Sequence, residues 1–309
     1  MQTEDLSIGY KIKGGKQVLF EGLNLRLNPR ELVCFMGPNG IGKSTLMRTI
    51  AGLHPPLAGQ HTEVDEKTVG LVLTERVIAS NMTVRELVGF GRYPYLGWSA
   101  RLANDDHLKI DQAIAQTGVG DLAQKKISEL SDGQMQMVMI ARALAQETPV
   151  LLLDEPTSHL DLNNRVAVMK LLQRLARQTN KAILVATHEL DLALQMADVI
   201  WLATNDKKIV SGMPEDLVLS GAFDEVFQLK GFDLKTGRVF HEPFRNQSVK
   251  LEGTGSVYLW TKNALERNGY SIHAPSNYTI EILDDKWRLN GKDHFTLQNL
   301  LADLSHSLR

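Results

Sequence analysis

The sequence predicts an α/β fold with a mostly parallel sheet, and two apolar runs with their flanking motifs support this prediction. Residues 31–36 form one apolar run, which leads into GPNGIGKST at Gly37–Thr45, and residues 45–51 have a helical pattern. A second run in PVLLLDEPT ends in the carboxylates of Asp154 and Glu155. Continuous apolar runs of this length are typical of strands buried on both faces of a parallel sheet.

The glycine-rich segment between the first strand and its helix predicts a nucleotide triphosphate site. Its backbone N–H groups must turn inward around the phosphates, which leaves no room for side chains. Lys43 supplies a cation, and the Ser44 hydroxyl is placed to bind Mg²⁺. A glycine-rich turn without a ligand is the alternative, but it does not explain both flanks. The predicted ATP-binding residues are Gly37, Pro38, Asn39, Gly40, Gly42, Lys43, Ser44 and Thr45.

The two acids that end the second run are candidates for metal binding and catalysis. At the carboxyl end of a parallel strand they should emerge beside the phosphate loop. We expect Asp154 to hold Mg²⁺, directly or through water, and Glu155 to orient and deprotonate the attacking water. The alternative is a solvated acidic strand end.

A third motif, LSDGQ at Leu130–Gln134, lies between the first two and resembles the signature sequence of the ATP-binding-cassette (ABC) family. The resemblance covers residues 1–228 and implies an ABC cassette with antiparallel edge strands and a helical lobe at about 82–130. It also implies that two cassettes, as a homodimer, sandwich two ATP molecules. Ser131, Gly133, Gln134 and Asp161, the last in a loop that couples the two sites, would then serve the ATP of the partner. A helix is predicted to begin near Gln134, and the positive end of its dipole would point at that ATP.

The resemblance also implies roles for two further residues. His188 follows the apolar run Ala182–Ala186 and Thr187, and it resembles the switch histidine that contacts the γ-phosphate. Tyr10, in the predicted strand Leu6–Lys11, matches the aromatic residue that stacks on adenine. The alternatives are a structural histidine after a strand and a tyrosine packed at a sheet edge.

The sequence departs from the family pattern at two positions. Asp132 replaces the usual glycine of the signature, and an acidic side chain near a phosphate is electrostatically unfavourable. No glutamine occurs between Gln60 and Gln112, where the family carries one near Mg²⁺ and the attacking water. We expect Glu75 to replace it as a metal ligand and catalytic residue, because Mg²⁺ accepts carboxylate and amide oxygens. The alternative is that Glu75 only caps a loop.

Composition narrows the possible partners and location. The 309 residues carry 34 basic and 36 acidic side chains, for a net charge of −2, so nucleic acid is not an expected partner. The N-terminus lacks a signal pattern, and no apolar stretch approaches the roughly 20 residues needed to cross a bilayer. The single cysteine, Cys34, is expected to lie in the core. We expect a peripheral protein on the cytoplasmic face of the inner membrane, with membrane permease subunits as partners.

Residues 231–309 are predicted to form a small α+β domain of unknown role. Strand patterns occur at 238–240, 248–251, 270–273, 278–283 and 286–289, with helices at 257–267 and after Thr296 as N-cap. The segment Gly253–Gly255 reads as a tight turn before a helix, because the third glycine position of a dinucleotide motif holds Tyr258.

The leading functional hypothesis is the ATPase subunit of an importer. The stretch TVRELVGFGRYPY at Thr83–Tyr95 resembles the branch that serves iron–siderophore, haem and cobalamin uptake. One alternative is a soluble ABC ATPase acting on ribosomes or DNA, although the chain lacks a second cassette. The other is a regulatory module without turnover, suggested by Asp132 and Glu75 and opposed by Glu155 and His188.

Overall fold

The computed structural model describes residues 1–62, 65, 67–73, 81–98, 101–228, 232–234, 238–239, 241–273 and 276–306. The chain forms two compact units, Met1–Gln228 and Leu229–Arg309. In the described part of the chain, no helix has both the length and the apolar character that a membrane span requires.

The first unit alternates strands and helices. Its strands are β1 (Thr3–Ile12), β2 (Gly15–Leu23), β3 (Leu32–Met36), β4 (Ala58–His61), β5 (Val69–Val72), β6 (Val150–Asp154), β7 (Ala182–Ala186), β8 (Val199–Ala203) and β9 (Ile209–Gly212). Its helices are α1 (Lys43–Ile50), α2 (Val84–Gly89), α3 (Asn104–Thr117), α4 (Asp132–Ala145), α5 (Leu162–Thr179), α6 (Leu190–Met196), α7 (Pro214–Leu219) and α8 (Ala222–Phe227). Short 3₁₀ helices span Phe90–Tyr95, Gly120–Leu122 and Ile127–Glu129.

The first unit contains two sheets that share one core. The larger has the order β5-β6-β7-β3-β8-β9 and is parallel except for β9, and the smaller is an antiparallel β2-β1-β4 sheet. Phe20 of the small sheet and Trp201 of β8 each pack against Phe35 of β3, with ring centroids 6.3 Å apart in both pairs. The predicted mostly parallel α/β fold is confirmed. Cys34 is buried as expected, and burial raises the pKa of its thiol to about 12.

Three helix and strand starts differ from the sequence prediction. The helix after the phosphate loop begins at Lys43 rather than Thr45, because Gly42 already adopts the left-handed N-cap conformation. The helix after LSDGQ begins at Asp132 rather than near Gln134. Strand β1 is longer than predicted, since it starts at Thr3.

The helical lobe is built around a buried arginine. Arg92 is 3% exposed, and its Nε donates to Asp106 while its Nη1 donates to Glu147 and to the Ala145 carbonyl. The Ala103 N–H and the Arg92 guanidinium hold the pKa of Asp106 below its usual range. This network ties the 3₁₀ helix Phe90–Tyr95 to α3 and to the end of α4.

The second unit is the predicted α+β type and has its own core. Its elements are β10 (Phe232–Asp233), β11 (Arg238–Val239), β12 (Ser248–Glu252), α9 (Gly255–Arg267), β13 (Ser271–Ile272), β14 (Thr279–Ile282), β15 (Trp287–Leu289), β16 (Lys292–His294) and α10 (Leu297–His306). Five strands form a sheet of order β13-β12-β14-β15-β16. Strand β16 was not predicted, because its sequence, Lys-Asp-His, carries no apolar pattern. Thr296 accepts a hydrogen bond from the Asn299 N–H, as an N-cap does.

We expect Gly91→Ala to destabilise the protein, because a Cβ at this position would lie 2.1 Å from the Arg142 carbonyl oxygen of α4. Overpacking of this kind costs about 1–3 kcal/mol of unfolding free energy. The matched control is Gly97→Ala, which meets no atom within 4 Å. Thermal unfolding of both variants checks this, and equal midpoints would contradict it.

We also expect residues 1–228 alone to fold and bind ATP. The core of this unit includes Leu6, Phe35 and Leu46, whereas the second unit packs around Val249, Leu265 and Leu300. Thermal unfolding and nucleotide titration of the truncated protein, beside the full chain, test this. Non-cooperative melting of soluble residues 1–228 would show that the second unit is needed for folding.

Candidate functional site

The phosphate loop leaves the buried strand β3 and ends at α1. Gly37 has φ +152°, and a Cβ there would lie 2.7 Å from the Cβ of Ala203. Gly42 has φ +118° and precedes the first residue of α1. Side chains are therefore disfavoured at both positions, as a loop that encloses phosphates with its backbone requires. Pro38, Asn39 and Gly40 lie between them in the loop.

Lys43 folds back over this loop. Its Nζ donates to the carbonyl oxygens of Gly37 at 2.9 Å and Pro38 at 3.2 Å. Burial lowers the pKa of the ammonium, and Glu155 and Asp154 oppose that shift. The cation is therefore held inside the loop with two carboxylates nearby.

Asp154 lies at the carboxyl end of β6, beside the first turn of α1. The Ser44 hydroxyl hydrogen-bonds to its carboxylate, which counteracts the rise in the pKa of Asp154 caused by burial. A serine hydroxyl and a carboxylate are the oxygen donors that Mg²⁺ prefers, so the pair fits that ion. The structure thus brings together Ser44, Lys43 and Asp154.

Glu155 has an unusual backbone conformation, with φ +49°. Its N–H donates to the Ala186 carbonyl at 2.9 Å, and its own carbonyl accepts from the Ser158 N–H at 3.1 Å. Left-handed backbone at a residue other than glycine costs free energy and clusters at functional sites. The side chain is 33% exposed, and Oε1 lies 3.7 Å from Nδ1 of His188. The predicted base and switch histidine are therefore neighbours.

Sequence reasoning missed a charged pair beside His188. Nε2 of His188 lies 3.8 Å from Oε1 of Glu189, and Arg165 of α5 forms an ion pair with the same carboxylate at 2.8 Å. A glutamate directly after the predicted switch histidine was the available signal. Its partner lies 24 positions earlier in the chain, so the sequence gives no sign of the pairing.

Tyr10 lies on β1 and is 44% exposed. A hydrogen bond of 2.8 Å joins its hydroxyl to that of Thr45 in α1, and its ring centroid is 5.1 Å from that of His54. Tyr10 is thus attached to the helix of the phosphate loop and is partly exposed. Its contact with adenine remains a prediction.

The signature residues form the N-terminal cap of α4. The Ser131 hydroxyl accepts from the Gln134 N–H at 3.3 Å, and the Gln134 side chain accepts from the Ser131 N–H at 3.1 Å. This capping box explains why α4 starts at Asp132. A carboxylate in the first turn is favourable toward the helix dipole, which gives Asp132 a stabilising role within the chain.

The signature also contacts the first turn of α5. A Cβ on Gly133 would lie 2.7 Å from Cγ of Asn164. Asp161 is the N-cap of α5 and accepts from the Asn164 N–H at 2.9 Å and from its amide at 2.8 Å. Gly133 and Asp161 therefore both contact the side chain of Asn164.

Glu75 lies outside the described residues.

Comparisons with known proteins identify both units. The family described as "ABC transporter" matches residues 20–158, and that described as "Iron ABC transporter C-terminal domain" matches residues 246–309. An uncharacterized ABC transporter ATP-binding protein of Methanocaldococcus jannaschii is 37% identical, over 88% of this chain and 98% of that protein. The achromobactin transport ATP-binding protein of Dickeya dadantii is 35% identical, over 74% of this chain and 87% of that protein.

Solved structures agree. An ABC transporter described as metal-chelate type, in an inward-facing conformation, matches with a TM-score of 0.67 and 31% identity, over 74% of this chain and 88% of that chain. A dimeric ABC transporter cassette matches with a TM-score of 0.59 and 25% identity, over 69% of this chain and 98% of that chain. These matches confirm the family that the three motifs indicate. The chain therefore belongs to the ABC transporter ATP-binding proteins, which bind and hydrolyse ATP.

Proposed function

We propose that this chain is the ATPase subunit of an importer for an iron chelate of the siderophore type. The adjacency of Glu155 and His188 beside the Ser44–Asp154 pair supports an active ATPase. The match of residues 246–309 to the iron-transporter domain and the similarity to an achromobactin transport protein support the substrate class. Haem and cobalamin are the other two substrates in the group predicted from the sequence.

Each group at the site has a part in hydrolysis. Gly37, Gly40, Gly42 and Lys43 enclose the phosphates with N–H groups and one cation. Ser44 and Asp154 would hold Mg²⁺, which would neutralise charge on the phosphate oxygens when bound. Glu155 accepts the proton of the attacking water, and the imidazole of His188 contacts the γ-phosphate.

A second copy of the chain completes each site. Ser131, Gly133, Gln134 and Asp161 contact the ATP of the partner, as the resemblance of LSDGQ to the ABC signature implies. The Ser131 oxygen accepts a bond from its own helix, which leaves the hydroxyl hydrogen to donate to a phosphate. The similarity to a dimeric cassette supports this arrangement.

The protein acts at the cytoplasmic face of the inner membrane, where its helical lobe contacts permease subunits. Phe90, Tyr93 and Trp98 of this lobe are exposed by 54%, 70% and 106%. Phe90, Tyr93 and Leu102 line an open groove of about 410 Å³. Apolar side chains exposed together in this way are typical of a protein interface.

Glu75 remains the proposed replacement for the glutamine of the family.

The decisive experiment is Glu155→Gln. Turnover should fall about 10²–10⁴-fold with ATP binding retained, because loss of a general base acts on the chemical step. The variant should also accumulate as an ATP-bound dimer in size-exclusion chromatography. Glu21→Gln, an exposed acid on β2, is the matched control and should hydrolyse ATP normally. Unimpaired hydrolysis by Glu155→Gln would remove Glu155 from this role.

Ser131→Arg tests the sharing of sites. The variant should lose turnover but keep the nucleotide affinity of the monomer, because Ser131 serves the ATP of the other subunit. Thr83→Arg is the matched control, since Thr83 caps α2 with the same capping box but lies outside the signature. The Thr83→Arg variant loses an equivalent helix cap and should still hydrolyse ATP. A large loss of monomer affinity in Ser131→Arg would contradict the assignment of the signature.

A further inference from the structure

One guanidinium in the first turn of α5 joins two loops of the site. Nε of Arg165 donates to the Leu160 carbonyl at 2.7 Å, and Nη1 donates to both carboxylate oxygens of Glu189, at 2.9 and 2.8 Å. Leu160 precedes Asp161, which serves the ATP of the partner in the proposed function. Glu189 follows His188, which serves the ATP of its own chain. Arg165 therefore connects a loop for each of the two sites.

The burial of this pair gives it a fixed geometry. The Glu189 side chain is 13% exposed and that of Arg165 is 36% exposed. Exposed ion pairs hold their partners weakly, whereas a partly buried guanidinium with bonds from two of its nitrogens has a defined orientation. A lysine cannot reproduce bonds in two directions from one planar group.

Arg165 also sets the charge beside the switch histidine. His188 lies between two carboxylates, with Nδ1 at 3.7 Å from Glu155 and Nε2 at 3.8 Å from Glu189. The Arg165 guanidinium neutralises the Glu189 carboxylate. The carboxylate of Glu189 therefore does not hold the imidazole of His188 away from a phosphate. The Glu189 N–H donates to the Thr187 hydroxyl at 3.0 Å, which ties the backbone on both sides of His188.

The residue before Arg165 extends the connection to the signature. Asn164 hydrogen-bonds to Asp161 and packs against Gly133 of α4. The first turn of α5 thus contacts the signature, the Asp161 loop and the His188 loop. Two of these three segments face the nucleotide of the partner in the proposed dimer.

We propose that Arg165 is a positioning residue that couples the two ATP sites by fixing the Asp161 loop to the His188 loop. Closure of the dimer, which acts on Asp161, is then transmitted through Leu160 and Arg165 to Glu189 and His188. This inference rests on the proposed function.

Steady-state ATPase kinetics of the full chain test the inference. Arg165→Gln should lower kcat about 10–10²-fold, because misplacement of a catalytic group has effects of that size. KM for ATP should stay unchanged, since the phosphate loop at Gly37–Thr45 is unaltered in this variant. Arg165→Lys should recover part of the loss. Arg177→Gln is the matched control, because Arg177 lies on the same helix but forms its ion pair, of 3.1 Å, with Asp198, which is not part of the site. This variant should keep the wild-type kcat.

A double-mutant cycle with Glu189→Gln separates positioning from simple loss of stability. If Arg165 acts through Glu189, the double variant should be no slower than the slower single variant. Multiplied losses, a wild-type kcat in Arg165→Gln, or an equal loss in Arg177→Gln would overturn the inference. Should Arg165→Gln fail to fold, the nearly isosteric Glu189→Gln carries the same expectation of lower kcat at unchanged KM. Failure of the proposed function itself would appear in Glu155→Gln, independently of these variants.

Discussion

Parallel pairing places the carboxyl ends of β6, β7 and β3 side by side, since Asp154 pairs with Ala186 and Ala186 pairs with Phe35. Two backbone bonds continue this alignment past the strand ends, from the Glu155 N–H to the Ala186 carbonyl and from the Thr187 N–H to the Phe35 carbonyl. The phosphate loop, the two acids and His188 each lie at one of these ends. Their proximity is therefore a result of sheet register, and it depends on the burial that fixes the three strands.

The parts of the site that were predictable from sequence are those with short-range requirements. The phosphate loop needs glycines at set spacings, and Asp154 and Glu155 end an apolar run whose length identifies a buried strand. Each of these patterns spans only a few residues and does not depend on distant contacts. The mostly parallel sheet followed from the same runs, because strands separated by helices pair in parallel.

The remaining parts depend on contacts between distant segments. The bond between Tyr10 and Thr45 spans 35 positions, and that between Arg165 and Glu189 spans 24. No local pattern marks either pair. The start of α4 was misjudged for a different reason: Ser131 and Gln134 form a reciprocal cap, so a motif read for its chemistry also determines where the helix begins. Strand β16 is held by pairing with β15 rather than by an apolar pattern.

The contact between Gly133 and Asn164 affects how loss-of-function alleles in the signature should be interpreted. A methyl group at Gly133 would overlap the amide of Asn164 within the same polypeptide, before any nucleotide or second subunit is present. An inactive allele at this glycine can therefore arise from displaced helices in the monomer. Ser131 is also tied into the monomer, because its hydroxyl caps α4, so alleles at either residue report on contacts across the dimer only when the folding of the variant monomer is measured as well.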